Sequence, residues 1–490
     1  MSNRPVIVGI DQGTTGTTVL VLDQRLAVLG RGYCEIPQSY PQPGQVEHDP
    51  EAIWQSVLTA FAQAHAQAGA VEIAAIGITN QRETTLLWER ATGRPVAPAI
   101  VWQDRRTAEM CDRLRAEGLE ELVRQRTGLR IDPYFSASKI AWLLDNTPDL
   151  RRRAEAGEIA FGTVDSFLLW RLSGGQDHLT DVSNASRTLL LDIESLQWSP
   201  EMCRIFGVPV GMLPEAGPTS GRLAATRAVG EIPDGISLAA AAGDQQAALF
   251  GQQCLRPGDA KCTFGTGSFL LMNVGRRPVR SRHRLLGTVA WQTAAGTTYA
   301  LEGSAFVSGA LIQWLRDGIG IIKQASDSEA LAASVPDDGG VTIVPALAGL
   351  GAPHWRAEAR GAILGLTRGT RAAHIARAAL QAMALQNVDL VRAMEQDAGH
   401  SLTGLRVDGG ATANSLLMQI QADLLGVDIV RPAQVELTAL GAARLAAEGV
   451  GFDIDAGGAT DADATVFHPR MPASQRDRIL SRWQDAIAKA

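Results

Sequence analysis

The sequence predicts an α/β protein built of two halves. Three observations carry that prediction. Helix-like and strand-like hydrophobic patterns alternate along the chain. A strand, a small polar turn and a second strand occur near the start and again beyond the midpoint. At 490 residues the chain is also too long for one core, since single cores stop growing near about 250–300 residues. Two large domains flanking a cleft, with a boundary near residues 245–260, account for all three, although no strict repeat period is visible.

Residues 6–10 are a short β-branched run. Asp11-Gln12-Gly13-Thr14-Thr15-Gly16 interrupts it and residues 17–22 resume it, which reads as strand, turn, strand. A helix follows: Asp49 can cap it, Pro50 suits its first position, Gly69 can end it, and Trp54, Val57, Leu58 and Phe61 share one face. Residues 73–79 form an apolar strand running into Asn80-Gln81-Arg82-Glu83, and open α/β sheets present functional groups at such strand ends. A charged helix is expected to begin at Trp102-Gln103-Asp104-Arg105-Arg106, with Trp102 as its anchor. In the second half, residues 262–264 lead into Gly265-Thr266-Gly267-Ser268, and residues 269–272 continue as a strand. Residues 306–315 have helical spacing through Val307, Leu311, Trp314 and Leu315. Residues 405–407 lead into Asp408-Gly409-Gly410-Ala411. A helix opens near Thr412 to Asn414, with Leu416, Leu417, Ile420 and Leu424 facing inward and Gly426 at its end. Residues 453–464, rich in Gly, Ala and Asp, read as a loop.

Composition excludes several partners. Lys+Arg total 45 and Asp+Glu 52, a net charge of −7, so the chain lacks the basic footprint of a nucleic-acid binder. Its densest basic run, Arg151-Arg152-Arg153, is followed by Glu155 and Glu158 and reads as a solvated helix face. No stretch reaches the roughly 18 apolar residues of a membrane span. Residues 1–5 hold no basic segment followed by a long apolar one, so no signal peptide is expected. The cysteines Cys34, Cys111, Cys203, Cys254 and Cys262 are odd in number and contain no Cys-x-x-Cys pair, which argues against a disulfide framework or zinc ribbon and leaves the cytoplasm as the expected location. Glycine is in excess, 50 of 490 residues, so where the glycines sit becomes the informative question.

Three turns answer part of it: Gly13-Thr14-Thr15-Gly16, Gly265-Thr266-Gly267-Ser268 and Gly409-Gly410-Ala411-Thr412. Glycine lets a backbone approach a phosphate closely, and successive N–H groups form an anion-binding concavity. One such turn alone reads as ordinary; three, each after an apolar strand, point to a phosphate cradle. It is neither a P-loop nor a Gly-x-Gly-x-x-Gly opening a helix. Asp11 beside the first turn is either a turn-initiating carboxylate or one facing a cation such as Mg²⁺ between it and phosphate oxygens. Asp244, after Gly243 and a run of alanines, is either a helix N-cap or a general base, and residue chemistry alone puts the cap ahead. Arg82, Glu83, Trp102 and Tyr134 are polar or amphipathic groups near strand ends or loops, whereas Trp88 and Trp142 suit core packing. The eight histidines have no metal-ligand spacing, and His48, His354 and His468 read as structural.

Longer segments carry a family resemblance. They are residues 8–15, Tyr40-Pro41-Gln42-Pro43-Gly44-Gln45-Val46-Glu47-His48-Asp49-Pro50, Gly77-Ile78-Thr79-Asn80-Gln81-Arg82-Glu83-Thr84-Thr85, Ala99-Ile100-Val101-Trp102-Gln103, Ile131-Asp132-Pro133-Tyr134-Phe135-Ser136 and residues 162–165 and 180–187. The second half adds residues 242–251, 264–267, 349–353, 360–362 and 405–413. Over about residues 5–450 the chain resembles the FGGY family of carbohydrate kinases, and within it the members that phosphorylate glycerol. The resemblance implies two actin-like (ribonuclease-H-like) ATPase domains flanking a deep cleft, residues 1–250 and 251–490. It implies ATP-dependent phosphorylation of glycerol to sn-glycerol 3-phosphate, which feeds glycerol catabolism and glycerolipid synthesis, with ATP and Mg²⁺ as cofactors. Thr14, Thr15, Gly16, Thr18, Gly265, Thr266, Gly267, Gly309, Gln313, Gly410 and Asn414 match ATP-site positions. Arg82, Glu83, Tyr134, Asp244 and Gln245 match the groups that hold glycerol's hydroxyls, and Trp102 and Phe269 the apolar wall against its carbons. Asp244 matches the catalytic base, and Asp11 and Asp244 the Mg²⁺-linked carboxylates. A homodimer or homotetramer is implied, with no membrane insertion and no nucleic acid.

Two departures stand out. The family usually carries Arg or Lys where this chain has Thr18, so one cation near the phosphates is missing. The region 228–234 is acidic where some relatives have a basic, glycine-rich loop for a sugar bisphosphate. Alternatives are a kinase for another polyol or ketose, or a nucleotide-binding regulatory protein that has lost catalysis; retention of Asp11 and Asp244 argues against the latter.

Overall fold

The structure is a computed structural model that describes residues 4–356, 358–434, 436–454 and 463–490. Most of the expected 453–464 loop, at 455–462, lies outside the described residues.

Two mixed sheets organise the molecule. The first holds β1 (Arg4–Gln12), β2 (Gly16–Leu22), β3 (Val28–Glu35), β4 (Val71–Asn80), β5 (Ser220–Ala225) and β6 (Ser237–Gly243), in the order β3-β2-β1-β4-β6-β5. The second holds β7 (Ala260–Phe264), β8 (Ser268–Gly275), β9 (Leu286–Thr293), β10 (Gly296–Ala305), β11 (Leu405–Asp408), β12 (Ile429–Arg431) and β13 (Thr465–Phe467), in the order β9-β10-β8-β7-β11-β12-β13. Each sheet pairs three strands antiparallel, adds two in parallel, and closes with one antiparallel strand. The second sheet has β9 as an extra antiparallel edge. The two halves therefore repeat one pairing scheme, without the fixed sequence period that would have made it visible in the chain.

The helices start and stop where local chemistry directs. In α1 (Pro50–Ala68) the Asp49 carboxylate accepts from the Glu51 N–H at 2.9 Å, Pro50 takes the first turn, and Gly69 ends the helix at φ 72°. Trp54, Val57 and Phe61 are buried on the first sheet as expected; Ile53 joins them, and Leu58 lies only at the margin. After α1 come α2 (Ser136–Asn146), α3 (Asp244–Gly251), α4 (Gly309–Asp317), α5 (Ala372–Ala398), α6 (Ser415–Leu425), α7 (Leu437–Val450) and α8 (Ala473–Lys489). Asn414 caps α6 through its Oδ1, which accepts from the Leu417 N–H at 2.9 Å, and Gly426 ends it at φ 77°.

Two local expectations fail. No helix begins at Trp102: a turn follows it, and the helix there spans Ala108–Ala116, because Asp104 spends its oxygens on the N–H groups of Val46 and Arg106 rather than opening a helix. The helix expected over 306–315 starts at Gly309, since Phe306 to Ser308 fold against the second turn. The helix expected to open near Thr412 to Asn414 does so: Gly410 to Ala413 form a single 3₁₀ turn, and α6 follows with Asn414 as its N-cap.

The helix α7 comes from the second half of the chain but packs its Leu437, Leu440 and Ala443 against Ile7, Leu20 and Ala240 of the first sheet. It crosses α3 so closely that a Cβ built on Gly441 would lie 1.9 Å from the Ala247 carbonyl oxygen, and one on Gly251 2.4 Å from that of Leu437. Much of the glycine excess serves such approaches of helix backbone to helix or sheet. No helix among the described residues is long and apolar enough to cross a membrane.

Candidate active site

The paired parallel strands β4 and β6 end together at the cleft, with Asn80 opposite Gly243 in register. Arg82 and Glu83 follow β4, and Asp244 follows β6. Asp244 is not the helix cap: Gly243 occupies the N-cap position of α3 and makes no side-chain cap, while Asp244 is the first helical residue. Its Oδ1 accepts from the Gln245 N–H at 2.7 Å and lies 3.2 Å from Arg82 Nε. Its side chain is 30% exposed, whereas that of Arg82 is 2% exposed.

Arg82 is the hub of the site. Nη1 donates to Glu302 Oε2 at 2.5 Å and to Gln246 Oε1 at 3.4 Å, and Nη2 donates to the Tyr134 hydroxyl at 3.3 Å. Glu83 adopts φ 62°, a left-handed conformation that a residue with a side chain pays about 1–3 kcal/mol to hold. Its carbonyl accepts from Ser136 Oγ and Thr85 Oγ1, and its Oε1 accepts from Arg187 Nε at 2.7 Å. Burial raises the Glu83 carboxyl, although Arg82 and Arg187 pull the other way. Burial acts on Glu302 in the same sense, but there Arg187 and Arg82 win and bring it down to about 2. The difference follows from contact: Glu302 accepts from both guanidiniums, while Glu83 accepts from Arg187 and stands 3.8 Å from Arg82.

Tyr134 lies in a loop gripped by Lys139 of α2. The Lys139 ammonium is fully buried and donates to the carbonyls of Pro133, Tyr134 and Phe135 at 2.7, 2.5 and 3.3 Å. Burial lowers its pKa to about 8. Trp102 meets Tyr134 edge-on at 5.6 Å between ring centroids and Phe269 of β8 edge-on at 6.4 Å. Its Nε1 donates to Thr14 Oγ1 at 2.9 Å, tying the aromatic wall to the first turn. That turn closes through Gly13 N–H to the Gly16 carbonyl, and Gln81 Nε2 braces it at Gln12 Oε1 and the Gly13 carbonyl.

Asp11 is the last but one residue of β1, not a turn initiator. Its Oδ1 is sealed from solvent with no hydrogen-bond partner. Burial raises its carboxyl well above the usual carboxylate range, and the negative charges of Asp244 and Glu436 add to the effect. An orphaned buried carboxylate oxygen pointing into the field of a second carboxylate fits a divalent cation. Thr18 pairs directly with Asp11 across β1 and β2, so the two side chains share one sheet face. Thr18 is buried and uncharged, so it adds no cation there.

The second turn is continuous with α4. Ser308 and Ala310 donate their N–H groups to the Thr266 carbonyl, and Gly309 donates to Gly265 at 2.9 Å. A Cβ on Gly309 would stand 2.6 Å from that Gly265 oxygen. Beside this junction a cavity of about 390 Å³ is lined by Gly265, Thr266, Gly309, Gln313, Gly410 and Asn414, six of the positions expected to hold nucleotide. Ile312, Leu380, Met383 and Leu417 give it apolar walls suited to a flat base. Gly267, also expected there, is absent from this lining and is buried under the Ala305 and Phe306 carbonyls.

Four groups escaped sequence reasoning: Arg187, Glu302, Lys139 and Lys261. Lys261 of β7 is buried, donates to Gln245 Oε1 through a short hydrogen bond, and reaches Thr263 Oγ1 at 2.7 Å. A signal existed, since Glu302 and Lys261 are each the only charged residue of an otherwise uncharged strand. The three histidines read as structural have such partners: His354 is bonded to Asp389 and His468 to Asp428, and His48 meets the Pro37 carbonyl.

Residues 6–251 match the N-terminal domain, and residues 260–449 the C-terminal domain, of the FGGY family of carbohydrate kinases. The chain is 55% identical over 486 residues to a glycerol kinase of Alkalilimnicola ehrlichii, covering 99% of this chain and 98% of the relative. It is 52% identical over 497 residues to a glycerol kinase of Myxococcus xanthus, covering 100% of each. A solved structure of Plasmodium falciparum glycerol kinase with ADP is similar at a TM-score of 0.92 and 34% identity, over 99% of this chain and 98% of that one.

Proposed function

The chain belongs to the FGGY family of carbohydrate kinases, with that family's actin-like two-domain fold, and from this premise we propose that it transfers the γ-phosphoryl group of ATP to glycerol, giving sn-glycerol 3-phosphate and ADP. The observation that carries the reading is the meeting of Arg82, Glu83 and Asp244 beside the wall of Trp102 and Phe269. Three hydroxyls on three carbons need several donors and acceptors and one apolar surface. A site built to bond each hydroxyl rejects analogues lacking one, because its buried polar groups would go unpaired.

The Asp244 carboxylate accepts the proton of the attacking hydroxyl. Its Oδ1 is already engaged by Arg82 and Gln245, which leaves Oδ2 for that proton. Arg82, Glu83, Tyr134 and Gln245 hold the acceptor, and Trp102 and Phe269 cover its carbons. Gly265, Thr266, Gly309, Gln313, Gly410 and Asn414 receive the nucleotide, with Thr14, Thr15 and Gly16 at the phosphates and Gly267 closing the second turn behind them. Asp11 and Asp244 would hold Mg²⁺, which neutralises charge on the phosphates. Closing the cleft between the domains, residues 1–250 and 251–490, keeps water from the γ-phosphate. A cytoplasmic homodimer or homotetramer goes with this reading, in keeping with five free thiols.

The test is a coupled assay of ADP formation with glycerol, erythritol, xylulose and gluconate. The expected result is turnover with glycerol well above the other three; preference for another acceptor, or no acceptor-dependent turnover, overturns it.

A further inference from the structure

We propose that Glu302 is a positioning residue for the acceptor site: from the second sheet it holds Arg82 and Arg187, so that the first domain's substrate-holding groups take their working geometry only with the second domain in place. The inference rests on the reading of the cleft as the site of glycerol phosphorylation.

Glu302 is the only charged residue of β10 and is buried. It uses its two oxygens on two different cations: Oε2 accepts from Arg82 Nη1 at 2.5 Å and Oε1 from Arg187 Nη2 at 2.8 Å. Arg187 passes the restraint on, because its Nε donates to Glu83 Oε1. Two guanidiniums and two carboxylates thus alternate in a chain closed to solvent, in which Glu302 alone comes from the second sheet.

The Arg82 guanidinium is fixed at three points, by Asp244 at Nε, Glu302 at Nη1 and Tyr134 at Nη2. Without Glu302, Nη1 keeps only Gln246 at 3.4 Å. Two buried cations would then face Glu83 and Asp244 alone. A buried cation that loses one partner is held more strongly by the counter-ions it keeps. For Arg82 the nearest of these is Asp244, at 3.2 Å, the group proposed to accept the substrate proton. Glu302 does not line the nucleotide cavity, so its loss should spare nucleotide binding.

The experiment measures glycerol KM, kcat and ADP affinity for wild type, Glu302→Gln and Glu302→Asp. In Glu302→Gln we expect glycerol KM to rise at least about tenfold and kcat to fall, with ADP affinity within about twofold of wild type. Glu302→Asp keeps the charge on a shorter arm and should recover part of the loss while remaining at least about threefold above wild type in glycerol KM. If the Gln variant does not fold, the Asp variant decides by the same measure. Glycerol KM and kcat within about twofold of wild type in the folded variants overturn the inference, as does equal loss of glycerol and ADP binding, the mark of a general structural role. Wild type without glycerol-dependent ADP formation overturns instead the underlying reading, and this inference with it.

Discussion

Nε of Arg82 lies 3.2 Å from Oδ1 of Asp244, which joins the end of β4 to the first residue of α3. The cation proposed to hold substrate and the carboxylate proposed to accept its proton thereby form one unit. Asp244→Asn preserves an oxygen for both Arg82 and the Gln245 N–H, so the fold should persist. The amide cannot take a proton, and turnover should fall roughly 10²–10⁴-fold while ADP affinity stays unchanged. Steady-state kinetics with a calorimetric ADP titration check it; unchanged turnover removes Asp244 from its role.

Asp11→Asn should act in opposite directions on stability and activity. The ligand-free fold holds a buried, unpartnered carboxylate oxygen, and removing its charge should raise the thermal midpoint by about 1–2 °C. The same change should raise the Mg²⁺ concentration needed for half-maximal turnover. A drop in midpoint, or an unaltered Mg²⁺ dependence, contradicts the assignment.

Thr18→Arg should lower KM for ATP. The side chain would share the sheet face of Asp11 beside the first turn, so the guanidinium would add a positive charge where the ATP phosphates are proposed to lie. Initial rates against ATP concentration test it; an unchanged KM means that another group already supplies the charge.

Lys139→Met should raise glycerol KM with little effect on KM for ATP, because the three carbonyls around Tyr134 lose their common donor. In wild type the Lys139 pKa is depressed to about 8 from 10.5. Glycerol KM should therefore climb above that pH as the ammonium becomes an amine with fewer N–H groups. The stability effect has the other sign. Between about 8 and 10.5 the unfolded chain keeps a proton that the folded chain has shed, so Lys139 adds stability as pH rises. Comparing pH profiles of KM and of melting temperature for wild type and variant separates the two.

Asp165→Asn should change the acid stability profile. Burial, with Asp181 nearby, raises the Asp165 pKa from 3.8 to about 6. In that window the folded chain holds a proton that the unfolded chain has lost. The stability of wild type relative to the variant should therefore grow as pH falls from about 6 to 3.8, by up to about 3 kcal/mol. Denaturant unfolding at a series of pH values measures it, and a constant difference refutes the shift. His178, whose pKa burial lowers from 6.5 to about 4, makes both proteins less stable as pH drops through that range and cancels in the difference.

Features written in neighbouring residues were legible in the chain. Asp49 and Pro50 start α1, Gly69 stops it, and Asn414 and Gly426 bound α6, because a cap needs only groups a few residues apart. The turns at 13–16 and 265–268 were equally plain, as their closing hydrogen bonds are local. Trp102 was misplaced at a helix start because its real partners, Thr14, Tyr134 and Phe269, come from separate segments. Asp244 was ambiguous for a related reason. Cap and base look alike until the backbone assigns the cap to Gly243 and the side chain meets Arg82.

By itself, then, the sequence determined the alternating α/β character, the glycine- and threonine-rich turns, the element ends and, through long ordered segments, the family. Only the tertiary structure decided that the two sheets repeat one pairing scheme, that α7 crosses back onto the first sheet, and that Glu302 of the second sheet closes a charge network around Arg82 of the first. Caps and turns are short-range bonds that a few residues specify. A buried carboxylate finds its guanidinium only when two whole sheets are packed, and no local pattern records that distance.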